Sequence, residues 1–74
     1  MKKLKLIRRK KGFSQAEFAN QMGVSQNTIS QWENGARIPN VISLKKMAQI
    51  LDCSTDMLLE DIETNERELK KWNG

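Results

Sequence analysis

The sequence predicts an all-α fold, and three observations predict it. Apolar residues recur at three- and four-residue steps, as in Val41, Leu44, Met47, Ala48 and Leu51. Gly12, Gly23, Gly35 and Pro39 separate such segments, where a multi-helix chain places its punctuation. No segment sustains the period-two alternation of a half-buried strand. With 74 residues the chain holds one domain. A domain of this size buries only about 60% of the surface its unfolded chain exposes, so the core is small and a large catalytic pocket is not expected.

The first segment, about residues 2–11, sets Leu4 and Ile7 on one face among cations, with Lys10 and Lys11 where a helix C-terminal dipole favours positive charge. The second opens with Ser14-Gln15-Ala16-Glu17, a capping-box pattern, and runs to Met22 before Gly23; its buried face is Phe18, Ala19 and Met22. A third is capped by Ser25, continues through Ile29 and Trp32 to Asn34, and stops where Gly35 can turn left-handed. After Pro39, Asn40 caps a fourth helix carrying the series from Val41 to Leu51, and Ser54 caps a fifth that carries Leu58. Residues 1–59 form the domain, and residues 60–74 an acidic tail.

Composition narrows the chemistry. One cysteine, Cys53, excludes an internal disulfide, and with no histidine there is no cluster at metal-ligand spacing, so no metal or cofactor is expected. There is no phosphate-binding glycine loop and no nucleophile beside a base, which makes an enzyme the weakest reading, and no small-molecule ligand is evident. Leu4, Leu6 and Ile7 give way to Arg8-Arg9-Lys10-Lys11, so no hydrophobic signal segment follows the basic start, and no stretch is long enough to span a membrane. A cytoplasmic location is expected.

The net charge of +4 conceals an asymmetry. Residues 1–53 carry ten basic side chains against three acidic ones, whereas residues 54–74 carry three against six. A basic body attracts a polyanion by concentrating positive potential and releasing condensed counterions, and an acidic tail turns away from it.

The second and third segments are joined only by Gly23, Val24 and Ser25, which holds two helices at a steep angle in a helix-turn-helix. Phe18 and Met22 face inward from the first, Val24 plugs the turn, and Ile29 with Trp32 anchors the second. The other residues of the third segment are Gln26, Asn27, Thr28, Ser30, Gln31 and Asn34, nearly all neutral amides and hydroxyls. A solvated face is usually filled with Glu and Lys. Amides donate and accept together, matching adenine N6 and N7 in the major groove.

Residues 14–34, SQAEFANQMGVSQNTISQWEN, with Gly35-Ala36-Arg37-Ile38-Pro39 after them, resemble the phage repressor and Cro type of helix-turn-helix domain, the XRE family. The resemblance runs over about residues 4–59 and extends to the terminal LDCSTDMLL. It implies a five-helix lambda-repressor-like bundle that binds a double-stranded DNA operator as a homodimer, with the third helix in the major groove. It further implies that Gln26, Asn27 and Gln31 reach base edges, with Ser25, Thr28 and Ser30 at the groove wall. Gln15, Asn34, the Gly35 backbone and Arg37 would meet phosphates, and Arg8 with Glu33 would form a partly buried structural ion pair. The function implied is a sequence-specific transcriptional regulator, a repressor, with an antitoxin or protein-interaction adaptor as the alternative. Many members carry a basic residue where this chain has Ala36, which shifts phosphate clamping there to Arg37 or the backbone.

Three further readings complete the sequence. Cys53 is read as core packing and Trp32 as a core anchor. Lys45 and Lys46 are open between approaching DNA and being solvated. Leu58, Ile62, Asn65, Leu69 and Trp72 step by four and three residues, which makes the tail either a helical seam for a partner or the bundle, or a frayed end.

Overall fold

The computed structural model describes residues 1–60. Helices α1 (Lys2–Lys10), α2 (Gln15–Met22), α3 (Gln26–Asn34), α4 (Val41–Leu51) and α5 (Thr55–Leu59) follow one another, with no strand among the described residues. Four of them start on a side chain that replaces a missing backbone acceptor. The Ser14 hydroxyl accepts from the Glu17 amide at 3.0 Å while the Glu17 carboxylate accepts from the Ser14 amide at 3.2 Å, completing the capping box. Ser25, Asn40 and Ser54 accept in the same way from Thr28, Ser43 and Met57.

Helix ends repeat a second device. At Gly23, φ is +73°, and the amides of Val24 and Gly23 donate to the carbonyls of Ala19 and Asn20 at 3.0 and 3.2 Å. Helix α4 closes identically at Asp52, whose φ of +51° is left-handed without a glycine: Cys53 donates to Ala48 and Asp52 to Gln49. Lys46 Nζ donates to the Met22 carbonyl at 3.2 Å, so this lysine finishes the C-terminus of α2. Lys45 is exposed.

The core gathers one face of every helix. Leu4, Phe18, Ile29, Met47, Leu51 and Leu58 are fully buried, with Ile7, Ala19, Met22, Trp32 and Ala48 around them. Helix α2 packs chiefly on α3, α1 bridges α3 and α5, and α4 rests on α2 and α5. Met1 is also buried, and the half-buried Phe13 ring lies 6.1 Å from that of Phe18. Val41, first of the apolar series in α4, is 67% exposed. Helix α4 is buried through Met47, Ala48 and Leu51 with half-buried Leu44 packed beside them, while Val41 and Ile42 at its start stay outside that contact.

Cys53 is half-buried against the core; burial pushes its thiol upward, opposed by Lys11 and assisted by Asp52. Leu58 lies inside the bundle and so is not available to an external seam. The remainder of that expectation, Ile62, Asn65, Leu69 and Trp72, lies outside the described residues. Among the described residues no helix is long and apolar enough to cross a membrane, and no group of three His, Cys, Asp or Glu stands together.

Candidate nucleic-acid interface

The connection between α2 and α3 is three residues long, and the half-buried Val24 fills it. Ile29 and Trp32 bind the inner side of α3 to the core, while Gln26 and Asn27 are exposed and Gln31 is half-buried. Helical spacing divides the remaining polar residues between two flanks. Ser30 and Asn34 line a groove of about 150 Å³ with Lys5, Gln15 and Glu33. Thr28 lines one of about 290 Å³ with Trp32, Arg37 and Ser43. Thr28 and Ser30, both expected at the groove wall, therefore flank α3 on opposite sides.

A buried ion pair supports the first flank. Arg8 Nε donates to Glu33 Oε2 at 2.6 Å and Nη2 to Oε1 at 3.2 Å, with the two side chains 6% and 4% exposed. The third guanidinium nitrogen, Nη1, donates to the Phe13 carbonyl at 2.7 Å. Arg8 thereby ties α1, the following loop and α3 together. Charges this deep need every lone pair and proton engaged, and no buried side-chain polar atom among the described residues lacks a partner.

Glu33 also reaches the surface through amides. Gln15 Nε2 donates to Glu33 Oε1 at 3.0 Å, and Gln26 Nε2 donates to Gln15 Oε1 at 3.5 Å. Gln15 is thus held in one orientation at the start of α2, with its second N–H still to donate. Ser25 and Thr28 are engaged with each other, their hydroxyls 2.9 Å apart, so both serve the start of α3.

At the far end, Asn34 Oδ1 accepts from the Ala36 amide at 2.9 Å, Gly35 has φ +84°, and the Arg37 amide donates to the Gln31 carbonyl at 3.2 Å. The Ala36 amide is occupied, which leaves the exposed Arg37 guanidinium as the cationic donor on this edge. One groove residue escaped the sequence reading. Lys5 stands beside Gln15 and Asn34, a placement set by packing α1 on α3 and invisible to local spacing.

A family model described as helix-turn-helix matches residues 4–58. The chain belongs to the XRE-type helix-turn-helix family. This helix-turn-helix chain is 33% identical over 66 residues to the HTH-type transcriptional regulator ImmR of Bacillus subtilis (strain 168), covering 89% of the chain and 52% of ImmR. It is 32% identical over 63 residues to the cryptic phage CTXphi transcriptional repressor RstR of Vibrio cholerae, covering 85% of the chain and 57% of RstR. With the uncharacterized HTH-type transcriptional regulator YazB of Bacillus subtilis (strain 168) the identity is 30% over 57 residues, 77% of the chain and 83% of YazB. The helix-turn-helix chain therefore spans little more than half the length of ImmR or RstR. No solved structure matches it.

Proposed function

We propose that this chain is a sequence-specific DNA-binding transcriptional regulator, acting as a repressor, that inserts α3 into the major groove of a palindromic operator as a homodimer. The observation that carries the reading is the row of neutral amides Gln26, Asn27 and Gln31 on the outer side of a helix whose inner side is core. Such amides offer paired donor and acceptor to base edges. Gln15, Asn34 and the Gly35 backbone, with Arg37 beyond them, bracket the row and meet phosphates, which sets register and supplies affinity. Ser25, Thr28 and Ser30 complete the walls. Arg8 and Glu33 stay inside as structure. The location that follows is cytoplasmic, the role is non-enzymatic, and no cofactor takes part. The names of ImmR and RstR, a regulator and a repressor, support it.

Selection from random duplexes tests this reading. The expected product is a two-fold symmetric motif with half-sites about 34 Å apart. Recovery of no motif at low salt sinks it. Selection repeated with Gln26→Ala should change the preferred base at one position of each half-site, by about 1–3 kcal/mol. Arg37→Ala should keep the motif and weaken every sequence alike. Uniform weakening by both variants would remove Gln26 from the readers.

A further inference from the structure

An open groove of about 710 Å³ lies between α1 and the start of α2, lined by Lys5, Arg8, Arg9, Gln15, Glu17 and Gln26 among others. Its charges are unequally committed. Arg8 is neutralised by Glu33, and Glu17 is turned to the Ser14 amide in the capping box. Lys5 and Arg9 are exposed, one helical turn apart, and neither side chain has an ion-pair or hydrogen-bond partner among the described residues. Lys5 also lines the adjoining groove beside Gln15, Ser30 and Asn34.

We infer that Lys5 and Arg9 form a phosphate-binding rim on α1, gripping the DNA backbone beyond the phosphate met by Gln15. This rests on the DNA reading above and extends it. A backbone that passes Gln15 and Gln26 on its way out of the half-site runs along this groove, whose lining includes both amides. Four residues of helix advance about 6 Å, so the two cations reach successive positions along a strand carrying one phosphate per ~3.4 Å of axis. Through Lys5 the rim meets the Ser30 flank of α3, and Arg37 lies on the Thr28 flank. The recognition helix is clamped from both sides.

The test is the salt dependence of binding to the selected duplex, by fluorescence anisotropy, for the full chain and two doubly substituted variants. Lys5→Gln with Arg9→Gln should lower affinity about tenfold at low salt and flatten the slope of log K against log salt by about 0.9 for each phosphate that is no longer neutralised, with the base preference unchanged. Lys10→Gln with Lys11→Gln removes the same charge from exposed residues that do not line the groove, and should leave the slope close to that of the unsubstituted chain. Thermal unfolding confirms that both variants are folded. A slope in the first variant equal to that of the unsubstituted chain overturns the rim. So does equal flattening by both variants, which assigns the effect to net charge. A chain that selects no site at all overturns the DNA reading itself, and that result appears before either variant is made.

Discussion

Glu33 accepts from three donors at once, two nitrogens of Arg8 and the amide of Gln15, and the first two are charged. Glu33→Gln presents an NH2 to those donors and leaves the Arg8 charge buried without its counterion. The expected loss is about 3–5 kcal/mol, the magnitude for breaking a buried pair from one side. Urea denaturation reads it as a lower midpoint at unchanged slope. The double variant Arg8→Met with Glu33→Leu should recover much of that loss, because no charge is stranded. If the single and double variants are equally unstable, the pair is held by packing and not by charge. These residues stand 25 positions apart, beyond any spacing rule, so the family resemblance was the only route to the pair from the sequence. Lys5 had no such route. Its place beside Gln15 depends on how α1 lies against α3, and a lysine on an amphipathic helix reads simply as solvated.

At the level of the helices, the turn between α2 and α3 depends on the left-handed Gly23. A Cβ built there meets only Lys46 Nζ, at 3.9 Å, an ordinary contact. The cost of Gly23→Ala is therefore backbone strain alone, about 1–2 kcal/mol. Thermal unfolding should show that modest loss while the folded fraction keeps its affinity for the selected duplex. A larger loss, or an altered affinity of folded protein, means that the angle between the helices has moved. Helix starts were readable because Ser14, Ser25, Asn40 and Ser54 bond to amides three residues on, a wholly local act. The end of α4 gave no comparable sign, since Asp52 adopts the glycine conformation without being glycine. Val41 shows another limit. Periodicity tells which face of a helix is apolar but not how far the neighbouring helices extend along it, and here they reach Leu44 but leave Val41 and Ile42 at the start of the first turn uncovered.

For the molecule as a whole, that uncovered helix start forms an edge. Ile38, Val41 and Ile42 are 68%, 67% and 80% exposed, and Ile38 lines the same groove as Arg37. On the proposed reading two copies meet on one face of the duplex, and an apolar edge adjoining the Arg37 side would fit a second copy of this chain. Ile42→Glu should shift sedimentation toward monomer and weaken binding to the full palindrome more than to a single half-site. An unchanged association state removes this edge as the dimer contact, and retained capture of a different protein favours the adaptor reading. The five-helix order and most of the core were legible in the sequence, because helices with caps, stops and one apolar stripe have few ways to close a small bundle. The grooves were not, because each is made by side chains from several elements. The path from Arg8 through Glu33 and Gln15 to Gln26 carries a genetic consequence. If Gln26 reads bases as proposed, a screen for lost DNA binding would collect substitutions at interior positions 8 and 33 together with those at the exposed position 26. Second-site suppressors would separate the two classes: those rescuing position 33 would map to Arg8 or to the core, and those rescuing position 26 would map to the operator.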